Sequence, residues 1–353
     1  MSSRRPSPSS LRVRSCTTGV DRGGWGSNAM ILDWLLNISA LILGLVALYY
    51  GAEWLVGGSS RLALRFGLSP LVVGLTVVAF GTSAPEMFVS IGFNMNGRPD
   101  ASVGNIVGSN ICNIALILGL SALIRPLDIK SQIIKREMPI LIIASIALIA
   151  MLWDGKLAQW EGGLLTCGII AYVFTSLRLA KTAGSELLDE FENEFGDKES
   201  AAGGGKPMVF TLLIIAGLLT LVLGSHLLQV GAIFIATGFG VSEAIIGLTL
   251  LAFGTSLPEL ATSIVACMKN EGDIVAGNAV GSSIFNIFAV LGVTAAIKEM
   301  KITAIEPIDL GVMMAAAVLV VPMMATRRRL ARSEGLILLL CYLAYVTSLA
   351  MRT

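Results

Sequence analysis

Apolar residues in this chain come in long blocks, and polar residues are confined to short intervals between them. Ten blocks can be marked, at approximately 31–55, 69–95, 101–124, 134–153, 160–181, 208–236, 242–268, 274–297, 308–326 and 333–351. Most reach the ~18–20 residues a helix needs to cross a bilayer, and none has the strict alternation of a barrel strand. The pattern predicts an all-α membrane protein of ten transmembrane helices. One long polar interval, 182–207, contains SELLDEFENEFGDKESAAGGGK, acidic and then glycine-rich. That composition marks a linker between five helices at 31–181 and five at 208–353. It lacks a D-x-[DN]-x-[DN]-G calcium loop, so it reads as a solvated connection rather than an ion sensor. Residues 1–29 are polar, rich in Arg, Ser and Gly, and without the apolar stretch of a signal peptide. They read as a disordered or non-native tail, and Met30 opens the first apolar run.

Composition agrees. The 353 residues are 55% hydrophobic and 14% charged, where a soluble domain is about one-quarter charged. A net charge of +1, with no basic face interleaved with aromatics, gives no expectation of nucleic acid binding. The partner implied is the lipid bilayer. Cys112, Cys167, Cys267 and Cys341 lie in apolar blocks without a CxxC pair and read as small core residues, and Cys16 lies in the tail.

Within these blocks one passage occurs twice. GLTVVAFGTSAPE runs from Gly74 to Glu86, and GLTLLAFGTSLPE from Gly247 to Glu259. The offset, 259 − 86 = 173, also relates Gly67 to Gly240, Ser109 to Ser282, Asn113 to Asn286 and Gly119 to Gly292. The copies align without a gap from Gly67 to Gly119, with roughly half the positions identical. The half-chain is a duplicated unit. Each half holds five spans, an odd number, so the second must enter the membrane from the opposite side. The halves are then inverted repeats with a site expected near the midplane between them. Fifteen Lys and Arg fall in intervals on the side of the linker and five on the other, the tail excluded. The positive-inside rule places the linker in the cytoplasm and both termini outside, in a multi-pass protein of the cell (inner) membrane.

Each copy carries an acid inside apolar sequence. An ionised carboxylate there is costly, by roughly 2.5 kcal/mol or more, so a duplicated one points to function. Ala79, Ser83 and Glu86 are spaced to share a helix face. Pro85 lacks an N–H, so the Gly81 carbonyl loses its usual donor and the helix should break or kink. Freed carbonyls, hydroxyls and a carboxylate form an oxygen-only shell, which hard cations such as Ca²⁺ and Na⁺ require. The next span supplies Ser109 and Asn113 on one face, with Gly104 and Gly108 spaced for close approach of a neighbouring helix. The second copy repeats the set with Ala252, Ser256, Glu259, Ser282 and Asn286. Two ionised glutamates are neutralised or slightly overcompensated by one Ca²⁺ or by two or three Na⁺. Two ions can thus compete for one set of ligands, which is how an antiporter couples fluxes. Glu53 and His226, related by the same offset, are not alike and read as packing or interfacial residues.

GTSAPE with GNIVGSNICN, and GTSLPE with GNAVGSSIFN, resemble the two repeats of the cation/calcium exchanger superfamily, above all its prokaryotic sodium/calcium exchanger-like branch. The resemblance implies ten helices in an inverted five-plus-five arrangement and Na⁺-driven Ca²⁺ exchange. It implies as cation ligands Glu86 and Glu259, the hydroxyls of Ser83, Ser109, Ser256 and Ser282, and the carbonyls of Ala79 and Ala252, with Thr82 and Thr255 lining the ion sites. Asn113 and Asn286 stand where some members carry Asp, and two asparagines favour potassium independence.

The expected function is a secondary antiporter exchanging Na⁺ for Ca²⁺, with H⁺/Ca²⁺ or K⁺-dependent Na⁺/Ca²⁺ exchange as alternatives and a passive channel as a second class. Enzymatic activity is not expected. The single histidine forbids HExxH zinc chemistry, and no GxGD motif occurs. No resident cofactor is implied, only transported ions. The sequence sets no oligomeric state, and a monomer accommodates the reading.

Overall fold

The computed structural model describes residues 27–66, 70–195, 207–239, 252–303 and 305–352. Apart from two ribbons of two residues per strand, every regular element among the described residues is helical. Among the described residues, seven helices are long and apolar enough to cross a membrane: Ile31–Ala63, Pro99–Ile124, Ile133–Asp154, Pro207–Gly238, Gly272–Ile297, Pro307–Arg328 and Arg332–Leu349. The bent pair Leu71–Thr82 and Ala84–Met95 makes an eighth if it counts as one span. The block predicted at 160–181 lies within a helix, Gln159–Phe195, that is not among these. Of the block at 242–268, Ala252–Thr255 and Leu257–Met268 are described, and Gly247–Leu251 fall outside the described residues.

Two expected boundaries move. The first helix begins at Ser27, inside the stretch set aside as a tail; residues 1–26 lie outside the described residues. Helix Gln159–Phe195 continues 37 residues, well into the acidic interval taken as linker. Leu and Glu are strong helix formers, so acidity alone does not end a helix there. Residues 196–206 lie outside the described residues.

Burial sorts the helices into a centre and a periphery. About four-fifths of the apolar window is buried in Pro99–Ile124 and in Gly272–Ile297, at 78% each, against 11% in Ile31–Ala63. The two central helices are the segments carrying Ser109 and Ser282. A close approach of the kind expected at Gly104 and Gly108 is seen at their counterpart in the second copy, where a Cβ on Gly281 would meet Leu75 at 3.0 Å; among the described residues, a Cβ on Gly104 would meet the Ile305 side chain at 3.5 Å. At the periphery, helices 27–66 and 207–238 lie antiparallel along one another. Their seam is made of glycines seven residues apart, Gly44, Gly51 and Gly58 against Gly217, Gly224 and Gly231. A Cβ on Gly44 would sit 2.6 Å from the Leu228 nitrogen, and one on Gly217 2.7 Å from the Gly51 oxygen. Small residues let the two backbones touch, as membrane helices often do. Cys112 and Cys267 are buried as expected, whereas Cys167 and Cys341 lie exposed on outward helix faces rather than in the core.

The two ribbons stitch the halves together. Leu127–Asp128 pairs antiparallel with Arg329–Leu330, and Lys156–Leu157 with Met300–Lys301. Adding 173 to 127 and subtracting it from 330 turns one pairing into the other, Leu157 with Met300.

Candidate functional site

The repeated GTSxPE passages break their helices at the serine. Ser83 adopts φ −81°, ψ 0° and Ser256 φ −87°, ψ 6°, both outside the α-helical region. A new helix starts immediately, Ala84–Met95 in one copy and Leu257–Met268 in the other, each with its proline in the first turn, where a missing N–H does no harm. The first copy bends by 40° at this point. Restarting the helix puts Glu86 and Glu259 in first turns, at the positive end of the peptide dipoles, where a carboxylate is favoured.

Both glutamates are sealed from solvent, at 0% and 1% exposure. Their hydrogen bonds cross between the halves. Ser83 Oγ donates to Glu259 Oε1 at 3.3 Å, and Ser256 Oγ donates to Glu86 Oε1 at 3.4 Å. Ser256 Oγ also lies 3.1 Å from Ser109 Oγ. Thr82 Oγ1 and Ser282 Oγ are 3.4 Å apart, and Ser282 Oγ donates to the Ala79 carbonyl at 3.5 Å. Ala79, Thr82, Ser83, Glu86, Ser109, Thr255, Ser256, Glu259 and Ser282 are therefore gathered into one buried polar cluster, and Ala252 opens the short helix Ala252–Thr255 that leads to Thr255 and Ser256. Among the described residues, Oε2 of each glutamate has no hydrogen-bond partner. A buried carboxylate oxygen without a donor is expensive, and a cation is one means of relieving it. Among the described residues no three His, Cys, Asp or Glu side chains converge. A cation between the glutamates would thus be completed by hydroxyls and carbonyls.

The asparagines behave unequally. Asn286 Nδ2 donates to Asn110 Oδ1 at 3.0 Å, leaving its own oxygen unpartnered. Asn113, 1% exposed, has no partner for either polar atom among the described residues. Both sit at π-helical turns, Cys112–Ile117 and Asn286–Leu291, where the helix is widened to take in an extra residue. Such turns recur at functional sites because they redirect side chains without ending the helix. Two further asparagines adjoin the cluster and escaped the sequence reading. Asn278 accepts from Thr82 and donates to the Glu259 carbonyl at 3.2 Å and to Ser263. Asn105 accepts from Thr255 and donates to Ser90. They hold the threonines and the backbone behind the glutamates. Their signal was available, since 278 − 105 is again 173. Glu53, taken as interfacial, lies 3.5 Å from Lys269 Nζ.

Comparison with known proteins gives a consistent result. The family model for sodium/calcium exchanger protein matches residues 36–178 and again 209–351, two stretches offset by 209 − 36 = 173. The chain is 40% identical over 268 residues to the inner membrane protein YrbG of Escherichia coli, covering 76% of this chain and 82% of that protein. It is 31% identical over 350 residues to the sodium/calcium exchanger MaX1 of Methanosarcina acetivorans, covering 89% and 98%. A solved structure of the sodium-calcium exchanger NCX_Mj superposes with a TM-score of 0.76 at 32% identity, over 89% of this chain and 98% of that one.

Proposed function

Because the chain belongs to the sodium/calcium exchanger protein family, a family of membrane exchangers rather than enzymes, we propose that it is a secondary active antiporter exchanging Na⁺ for Ca²⁺ by alternating access. The crossed bonding of Ser83 to Glu259 and of Ser256 to Glu86 carries this reading. A site whose every corner joins the two halves is intact only while the halves are together. Moving one against the other changes both ligand geometry and the face to which the site opens, so binding and exposure are linked.

The cargo follows from the donors. Two carboxylates in one buried region repel each other, and a cation between them offsets both charges. The all-oxygen set suits Ca²⁺ and Na⁺ and disfavours Mg²⁺, which dehydrates reluctantly. The proposed ligands are Glu86, Glu259, Ser83, Ser109, Ser256, Ser282 and the carbonyls of Ala79 and Ala252. Thr82 and Thr255 line the site, and Asn113 and Asn286 tune it. The proposed architecture is ten spans in two inverted halves joined through 182–207, with that linker cytoplasmic and the termini outside, in the cell membrane.

Calcium flux into proteoliposomes under separately imposed Na⁺, H⁺ and K⁺ gradients tests the proposal. Uptake driven by an outward Na⁺ gradient, and not by a pH gradient alone, is the expected result. Uptake driven only by pH makes the protein a proton exchanger, and a K⁺ requirement makes it a K⁺-dependent one. Calcium movement without any counter-ion makes it a passive channel.

A further inference from the structure

We propose that Ser225 is a positioning residue that favours the arrangement of the ion site described above over its mirror image. Pro258 leaves the Gly254 carbonyl without its helical donor. The Ser225 hydroxyl, on helix Pro207–Gly238, takes that place at 2.6 Å. Gln229, one turn further on, donates to Ser225 Oγ at 3.3 Å and packs against Gly254. At 4% exposure Ser225 makes this bond away from solvent. A peripheral helix is thereby tied to the segment that delivers Thr255 and Ser256.

The other half has no equivalent. Subtracting 173 from 225, 229 and 254 gives Ala52, Val56 and Gly81. Pro85 frees the Gly81 carbonyl in the same way, but neither Ala52 nor Val56 carries a donor. Two more ties share this one-sidedness. Lys269 lies 3.5 Å from Glu53, and Ser60 donates to Glu271 at 3.1 Å. The same offset turns these pairs into Asn96 with His226 and Arg98 with Ile233, neither of which is an ion pair. Helix 27–66 packs along Leu257–Met268, and helix 207–238 packs far less along Ala84–Met95.

In an inverted repeat, exchanging the roles of the halves generates the arrangement open to the opposite face, a step that rests on the antiporter reading above. In that arrangement Ala52 stands where Ser225 does now, and the freed carbonyl goes without its donor. The Ser225 bond therefore weights the balance between the two access states.

Apparent calcium KM, measured at each membrane face in vesicles of uniform protein orientation, tests this. Ser225→Ala is expected to shift the state balance about fivefold, the weight of one net hydrogen bond. KM then rises at one face and falls at the other. Ala52→Ser, which adds the missing hydroxyl, should move the two values in the same directions, and Ser225→Thr should restore them. A general loss of transport would move both faces alike. An unchanged ratio of the two KM values in Ser225→Ala and Ala52→Ser overturns the proposal. If Ser225→Ala does not fold, Ala52→Ser decides alone. Wild-type vesicles without any exchange would fault the antiporter reading; wild-type exchange with an unmoved ratio in the variants faults only the role of Ser225.

Discussion

The two broken helices are near copies, and the halves agree most closely where charge is involved. The serine–glutamate distances across the site are 3.3 and 3.4 Å. One span away the likeness fails. Asn286 is held by Asn110, whereas the position that matches Asn110 is Ser283 and Asn113 is left without a partner. Duplication has kept the chemistry of the site and released its supports. The charge-bearing groups act as one shared set, so a change in either half is felt by both. The supporting groups act locally and are free to differ.

The largest effect tests the shared set. Glu86→Gln and Glu259→Gln are each expected to lower calcium exchange by about 100-fold or more, since each removes one carboxylate facing the buried cation, and breaking a buried pair of opposite charges costs roughly 3 kcal/mol or more. Flux from folded, monodisperse protein is the measurement. Wild-type exchange in either variant removes that glutamate from the site, and strongly unequal losses break the equivalence of the halves.

A smaller difference separates the serines. Ser256 reaches both Glu86 and Ser109, while among the described residues the Ser83 hydroxyl reaches Glu259 alone. Ser256→Ala should raise the calcium KM roughly tenfold and Ser83→Ala about threefold, the difference being one hydrogen bond. Equal increases would show that the Ser109 contact is idle.

The asparagines divide stability from affinity. Asn286→Ala leaves Asn110 Oδ1 buried without its donor and should cost about 1–3 kcal/mol, read as a Tm lowered by several degrees in detergent. Asn113→Ala removes no bond and should leave Tm within about a degree while altering calcium affinity. The reverse ranking in Tm would show that Asn113 is the structural member of the pair.

The smallest effect lies at a helix end. Lys298 Nζ donates to the carbonyls of Asn94 and Met95, closing the C-terminus of Ala84–Met95. Lys298→Ala should cost under about 1 kcal/mol, the usual weight of a cation at a helix terminus. A larger loss in thermal unfolding would mean that this end is a structural anchor rather than a cap.

How much of this was legible in the sequence follows from where the repeat speaks. Glu86, Glu259 and their serines stand out because the same residue types recur at one offset inside apolar sequence. The break at Ser83 follows from Gly81 and Pro85 by backbone chemistry alone. Asn105 and Asn278 recur too, but an asparagine beside glycine in a helix looks like packing until its partners are seen. Ser225 was invisible for the opposite reason: its meaning lies in a mismatch with Ala52, and a search for repeats discards mismatches. The helical course of 182–195 was missed because charge was taken as a mark of linker, although Leu187, Leu188 and the glutamates around them favour a helix.

The ribbons carry a consequence for how the chain is made. Leu127–Asp128 is synthesised long before its partner Arg329–Leu330, and Lys156–Leu157 before Met300–Lys301. The amino-terminal half therefore leaves the translation machinery with both of its strand edges unpaired, and neither can close until the carboxy-terminal half has been inserted. Final assembly must be a late, post-insertional event of high contact order. A chain split within 196–206 and expressed as two polypeptides should still zip together at these two edges, because they join the halves without any need for the intervening residues.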